Sequence, residues 1–194
     1  MKTIAIGGLL YQIQKFFNET VDHYELGILG QTRTLKEISR KIEEYRKTGH
    51  NIRLIGFSRG ATFALRLSAD HKISEIYAHS PGKITEREIS IANTNFITLF
   101  RTIGDRMGNV YNETNETYQR LKFWRDRSFD LITRFKLIDL EFSEIPEPNG
   151  FTERKMNKRH HVFHNCLEHL PIGIRSGPVA FSTGSSAESG SELA

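Results

Sequence analysis

The chain has 194 residues, enough for one compact domain and too few for two with separate cores. Hydrophobic residues make up 38%, charged residues 26%, and there are 13 Phe, which excludes a wholly disordered or low-complexity protein. The net charge of +4 is spread among acids along the whole sequence, so it does not argue for a nucleic-acid partner. A single cysteine, Cys166, excludes a disulfide framework and a cysteine-based zinc site, and no apolar run approaches the roughly 20 residues of a membrane-spanning helix.

Thr3–Ile6 reads as a first strand rather than the apolar segment of a signal peptide, because the run breaks at once into Tyr11-Gln12-Ile13-Gln14-Lys15. A cytoplasmic location is the resulting expectation, and the Asn-x-Thr sequons at Asn18, Asn112 and Asn115 are then chance matches. A helical stretch is expected over Tyr11–Asn18, and a second strand over Tyr24–Leu29. In Thr32–Lys47, Leu35, Ile38, Ile42 and Tyr45 fall at helical spacing, with Thr32 or Thr34 as cap and Gly49 as stop. Asn51–Phe57 is the clearest strand, with a helix over Ala61–Ala69 behind it. Ser74–Ala78, Asn95–Ile103 and Phe135–Phe142 supply further strands. Helices are expected near Glu113–Phe123 and Asn165–Leu170. This alternation predicts an α/β fold of about six mostly parallel strands with helices on both faces. Residues 1–175 form one domain. Residues 176–194, rich in Ser, Gly and Ala, cannot bury enough apolar surface to order themselves and read as a flexible tail or a non-native extension.

The most informative segment is Ile52-Arg53-Leu54-Ile55-Gly56-Phe57-Ser58-Arg59-Gly60-Ala61. It places Gly-x-Ser-x-Gly where an apolar strand gives way to an Ala- and Leu-rich helix. A nucleophilic serine has to project from a sharp turn whose strained backbone brings neighbouring chain close. Glycines two positions before and after remove the side chains that would collide there. The helix then aims its first N–H groups and positive dipole end at the same point, which suits an oxyanion. A phosphate-binding glycine loop or a plain strand-to-helix turn would use similar residues.

Gly56-Phe57-Ser58-Arg59-Gly60-Ala61 resembles the elbow of the α/β-hydrolase superfamily, in particular lipase-like hydrolases of bacteria and phages. The resemblance spans most of residues 3–170 but is specific only at the elbow, and it implies a reduced version of that fold without its early strands. It implies Ser58 as nucleophile and a chain order of Ser, Asp, His. The acid then falls at Asp105, in the Gly104-Asp105 pair after the strand ending at Ile103, where a carboxylate would fix the imidazole tautomer. Asp126, Asp130 and Asp139 are alternatives inside or before other elements. The base is His164, with His161 as the alternative; His160 and His169 read as solvated or helix-end residues. The long stretch before His164 suggests a loop, Glu144–Lys158, folding over the site. The oxyanion hole would pair the Arg59 N–H with that of Gly8 or Leu9, from the loop after the first strand.

Other residues carry weaker signals. His161, His164 and Glu168 have helical metal-ligand spacing, but a metal reading leaves the elbow unexplained, and neither metal nor cofactor is expected. His79 is placed in the substrate pocket, Cys166 in packing, and Trp124 in the core. The basic runs 125–127 and 154–159 read as solvated faces. The resulting expectation is a serine hydrolase acting on a small-molecule or lipid ester or thioester through an acyl-enzyme. The alternative is an inactive binding or inhibitory module on the same fold.

Overall fold

The computed structural model describes residues 1–9, 12–82, 94–102, 135–140 and 163–176. The expected helix at Glu113–Phe123, Asp105, Asp126, Asp130, His160, His161, Trp124, both basic runs, the loop Glu144–Lys158 and the tail from 177 onward lie outside these residues.

Six strands form one sheet: β1 (Lys2–Leu9), β2 (Val21–Leu26), β3 (Ile52–Phe57), β4 (Ile73–His79), β5 (Thr94–Thr102) and β6 (Phe135–Leu140). Their order is β2-β1-β3-β4-β5-β6 and every neighbouring pair is parallel. Parallel sheets need cover on both faces, and the sequence supplies it through period-two alternation along each strand. On one face Ile4, Ile6, Leu54, Ile76, Ala78, Ile97 and Leu99 meet α1 (Gln31–Lys47) and α2 (Arg59–Asp70). The opposite face carries Ala5, Ile55, Phe57, Phe100 and Leu140. Among the described residues its cover is not α-helix but 3-10 turns at Gln14–Phe16, Phe163–His169 and Ile172–Ile174, which with their flanks contribute Ile13, Phe16, Phe17, Phe163, Cys166 and Leu170.

The expected helix over Tyr11–Asn18 is therefore a single 3-10 turn, Gln14–Phe16. Ile13, Phe16 and Phe17 do sit at helical spacing, but the chain must travel back along a strand between β1 and β2. Six strand residues span about 20 Å, whereas the connection 10–20 coiled as a helix would reach only about 16 Å. Its far end is pinned by Asn18, whose Oδ1 accepts from the Thr20 N–H at 3.0 Å and whose side-chain amide donates to Gly173 O at 3.0 Å.

Strand β2 lies at Val21–Leu26, earlier than the expected Tyr24–Leu29. Its last ladder pair is Leu26 with Leu9, and Ile28 and Leu29 stand out at 66% and 88% exposure between Gly27 and Gly30. Neither Thr32 nor Thr34 caps α1; Gly30 is the capping residue at φ 82°, and Thr34 N–H donates to its carbonyl. The final expected helix, Asn165–Leu170, is a 3-10 segment beginning at Phe163, so Asn165 lies inside it rather than capping it.

Candidate active site at the carboxyl edge of the sheet

Strand order reverses between β1 and β3: the chain leaves β1 toward β2 on one side and leaves β3 toward β4 on the other. Ligands of open parallel α/β sheets bind outside the carboxyl ends of the strands at this reversal, because the segments leaving them diverge to opposite faces and open a crevice. Ser58 stands there, between the end of β3 and the start of α2.

Its backbone adopts φ 52°, ψ −118°, sparsely populated for a residue with a side chain. Two main-chain hydrogen bonds hold it: the Ser58 N–H donates to His79 O at 2.8 Å, and Ser58 O accepts from the Thr62 N–H at 3.1 Å. The flanking glycines are required by contact. A Cβ on Gly56 would lie 2.5 Å from Gly60 O and 2.6 Å from Ala61 N, and one on Gly60 would press on Ile6 C at 2.7 Å. The start of α2 is thus seated directly on β3 and on the end of β1.

Gly8 and Leu9 are the last two residues of β1, not part of a loop beyond it. The ladder between β1 and β3 ends at Ile6 opposite Gly56, so β1 continues past its neighbour alongside the elbow. A Cβ on Gly8 would lie 2.7 Å from Phe57 Cδ1 and 3.3 Å from Ser58 Cβ. Arg59 is exposed at the first position of α2, where a backbone N–H has no acceptor within the helix.

Phe163 reaches the same corner from the far end of the chain. Its ring is fully buried, edge-on to Phe57 at 5.8 Å, and also meets Phe16, Phe17 and His79. His164, half-buried, is the next residue, in the segment that Phe163 packs against the last residue of β3. Asp105 lies outside the described residues; Thr102, which ends β5, is the nearest described residue before it.

The remaining candidates fall elsewhere. His79 is completely buried, stacked on Phe57 at 5.3 Å, with Nε2 3.3 Å from Thr102 Oγ1, beneath the edge rather than open on it. Asp139 is held in a bidentate pair by Arg101, at 2.6 and 2.7 Å. His169 pairs with Glu168 at 3.3 Å. Cys166 is buried, its thiol donates to Phe163 O, and burial pushes its pKa well up, as packing rather than nucleophilic chemistry requires.

Two polar residues near this edge were not singled out from the sequence. Ser80 comes directly after β4 at φ 45° and is 2% exposed, its N–H donating to Phe100 O at 2.9 Å. Nothing in the run Ala78-His79-Ser80-Pro81 marks that conformation. Glu25, near the end of β2, is exposed, yet partial desolvation of its carboxyl pushes it up to about 7, opposed by a hydrogen bond from the Ile13 backbone. Its place after three polar or aromatic strand residues reads as an ordinary solvated acid.

No protein-family model matches the chain, and no curated protein matches it. Among solved structures it is similar to a YdeN-like hydrolase from Pectobacterium atrosepticum, at 14% identity over 72% of this chain and 76% of that one, with a TM-score of 0.46. It is also similar to RedJ, solved with a polyethylene glycol molecule in its active site, at 12% identity over 87% and 88% of the two chains and a TM-score of 0.45. No described helix is long and apolar enough to cross a membrane.

Proposed function

We propose that the protein is a serine hydrolase that cleaves a carboxylic ester or thioester by acyl transfer to Ser58. The observation that carries this reading is the backbone of Ser58, held at φ 52°, ψ −118° on the first residue outside β3, at the strand-order reversal and at the positive end of α2. A strained turn of this kind costs about 1–3 kcal/mol, and here three glycines and two main-chain hydrogen bonds are committed to keeping it. An ordinary strand-to-helix turn needs none of that.

In this reading His164 accepts the Ser58 proton as the hydroxyl oxygen attacks the acyl carbon; His161 is the alternative base. The Arg59 N–H, together with that of Gly8 or Leu9, receives the negative charge that develops on the carbonyl oxygen. The imidazolium next protonates the departing alcohol or thiol; the neutral imidazole so formed takes a proton from water as it attacks the acyl-enzyme, and returns that proton to Ser58 as the acid leaves. Asp105 holds the imidazole in the tautomer that presents a lone pair to the hydroxyl. The exposed Arg59 guanidinium suits an anionic group on the substrate, which small-molecule and lipid esters can both carry.

A series of p-nitrophenyl esters of rising acyl length, with wild type and Ser58→Ala, tests the proposal. Burst kinetics and turnover in wild type, lost by roughly 10⁴-fold or more in Ser58→Ala, are expected. Equal hydrolysis by both, or folded wild type that neither turns over nor reacts with a fluorophosphonate, would leave only a non-catalytic module on this fold.

A further inference from the structure

Three segments far apart in sequence must be aligned for the proposed chemistry: the elbow at Ser58, the stretch after Phe163, and the end of β5 leading toward Asp105. One side chain touches all three. His79 ends β4, the strand between β3 and β5. Its carbonyl accepts the Ser58 N–H at 2.8 Å. Its imidazole lies flat on Phe57 (5.3 Å, 27°) and edge-on to Phe163 (5.8 Å, 72°). Nε2 contacts Thr102 Oγ1 at 3.3 Å, both groups being fully buried.

We infer that His79 is a positioning residue that holds the nucleophile turn, the histidine segment and the acid-bearing strand in mutual alignment. This rests on the serine hydrolase reading above. The role calls for a histidine. An aliphatic residue would fill the volume but lose the flat stacking surface, and a phenylalanine would keep the stack but lose the link to β5. The ring alone supplies both an aromatic face toward β3 and Phe163 and a polar edge toward Thr102. A buried polar link of this kind favours the arrangement that keeps it, because breaking it costs Nε2 and the Thr102 hydroxyl this contact where water cannot replace it.

The test uses the full chain and reads kcat separately from KM. Wild type, His79→Phe, Thr102→Val and Thr102→Ser are compared by ester turnover, by the rate of fluorophosphonate labelling at Ser58, and by thermal midpoint. His79→Phe and Thr102→Val are expected to lower kcat and labelling between about tenfold and a hundredfold, with KM little changed, as small misplacements of reacting groups do. Thr102→Ser keeps the hydroxyl and is expected to restore most of the rate. The double variant should be no slower than His79→Phe alone, since both break one link. Should His79→Phe fail to fold, the Thr102 pair still decides the matter. Folded variants with wild-type kcat, or a Thr102→Ser protein as slow as Thr102→Val, overturn the positioning role while leaving a labelled Ser58 intact. A wild-type protein that is never labelled at Ser58 overturns the hydrolase reading and this role together.

Discussion

Replacing Gly8 by Ala adds one methyl group to the end of β1, and the surroundings set its cost. The new Cβ would lie 2.7 Å and 3.0 Å from two carbons of the Phe57 ring and 3.3 Å from Ser58 Cβ. Carbon atoms rest comfortably at about 3.5–4.0 Å, so the overlap with the ring is about 1 Å. Phe57 has nowhere to turn: it is fully buried, stacked on His79 and met edge-on by Phe163. Overpacking of this order costs typically about 1–3 kcal/mol, and about 2–4 °C per kcal/mol is usual for a domain of this size. A thermal midpoint lowered by about 2–12 °C is therefore expected. Relief has to come from β1 or the elbow moving, so fluorophosphonate labelling should fall more steeply than stability. Gly60→Ala sets the scale: its methyl would meet the main chain at Ile6, which cannot swing aside, and its loss of stability should exceed that of Gly8→Ala. Differential scanning fluorimetry and timed labelling measure both quantities. A Gly8→Ala protein with unchanged midpoint and labelling would refute the close seating of β1 against Phe57 and Ser58.

Three further outcomes are expected. The Glu25 carboxyl has its folded pKa raised to about 7, so ionising it opposes folding; the penalty grows as pH rises from the ordinary carboxylate range through 7 and stays constant above. Glu25→Gln should accordingly raise the thermal midpoint at pH 8, leave it nearly unchanged at pH 4, and a parallel shift at both would refute the assignment. Cys166 should react with a disulfide reagent at pH 8 far more slowly in the native protein than in denaturant, because its thiol is buried and its pKa raised; equal rates would contradict that burial. Asp139→Asn should keep ester turnover within about twofold, since its carboxylate is committed to Arg101 and such surface pairs contribute about 0–1 kcal/mol, whereas Asp105→Asn should lose about 10⁴-fold; the reverse pattern would reassign the acid.

The strands were readable where apolar residues are also buried. Ile52–Phe57, Ile73–His79 and Thr94–Thr102 lie within a residue or two of their expected bounds, since parallel strands buried on both faces leave long apolar runs. Apolar character misled where burial did not accompany it: Ile28 and Leu29 look like the end of β2 but lie beyond its last pair with β1. Gly8 and Leu9 read as a loop after the first strand because glycine is common in loops, yet Gly8 needs no positive φ and both residues extend β1. The strained turn at Ser58 was legible because its flanking glycines answer to main-chain contacts that such a turn imposes. The burial of His79 had a fainter signal. Tyr77 and His79 share one face of β4 with Phe57 and Phe100 on the strands beside it, and period-two aromatic spacing across three strands marks a covered layer. No local pattern specifies the 3-10 form of Phe163–His169, which packing against Phe16, Phe17 and Phe57 selects.

The layer formed by Phe16, Phe17 and Phe163 also links packing to the order in which its rings are synthesised. Phe16 and Phe17 emerge from the ribosome early, and what covers them comes late: Phe163 on their rings, Ser176 N–H on Phe16 O, and Arg175 bridged to Phe17 while its guanidinium grips Leu170 O and Glu168 O. Translation proceeds at about 5–20 residues per second, so roughly 7–30 s separate Phe16 from Phe163, and for that interval the two early rings lack the cover that Phe163 supplies. The proposed general base, His164, directly follows Phe163. Docking of Phe163 on the two rings and delivery of the proposed base are therefore one event.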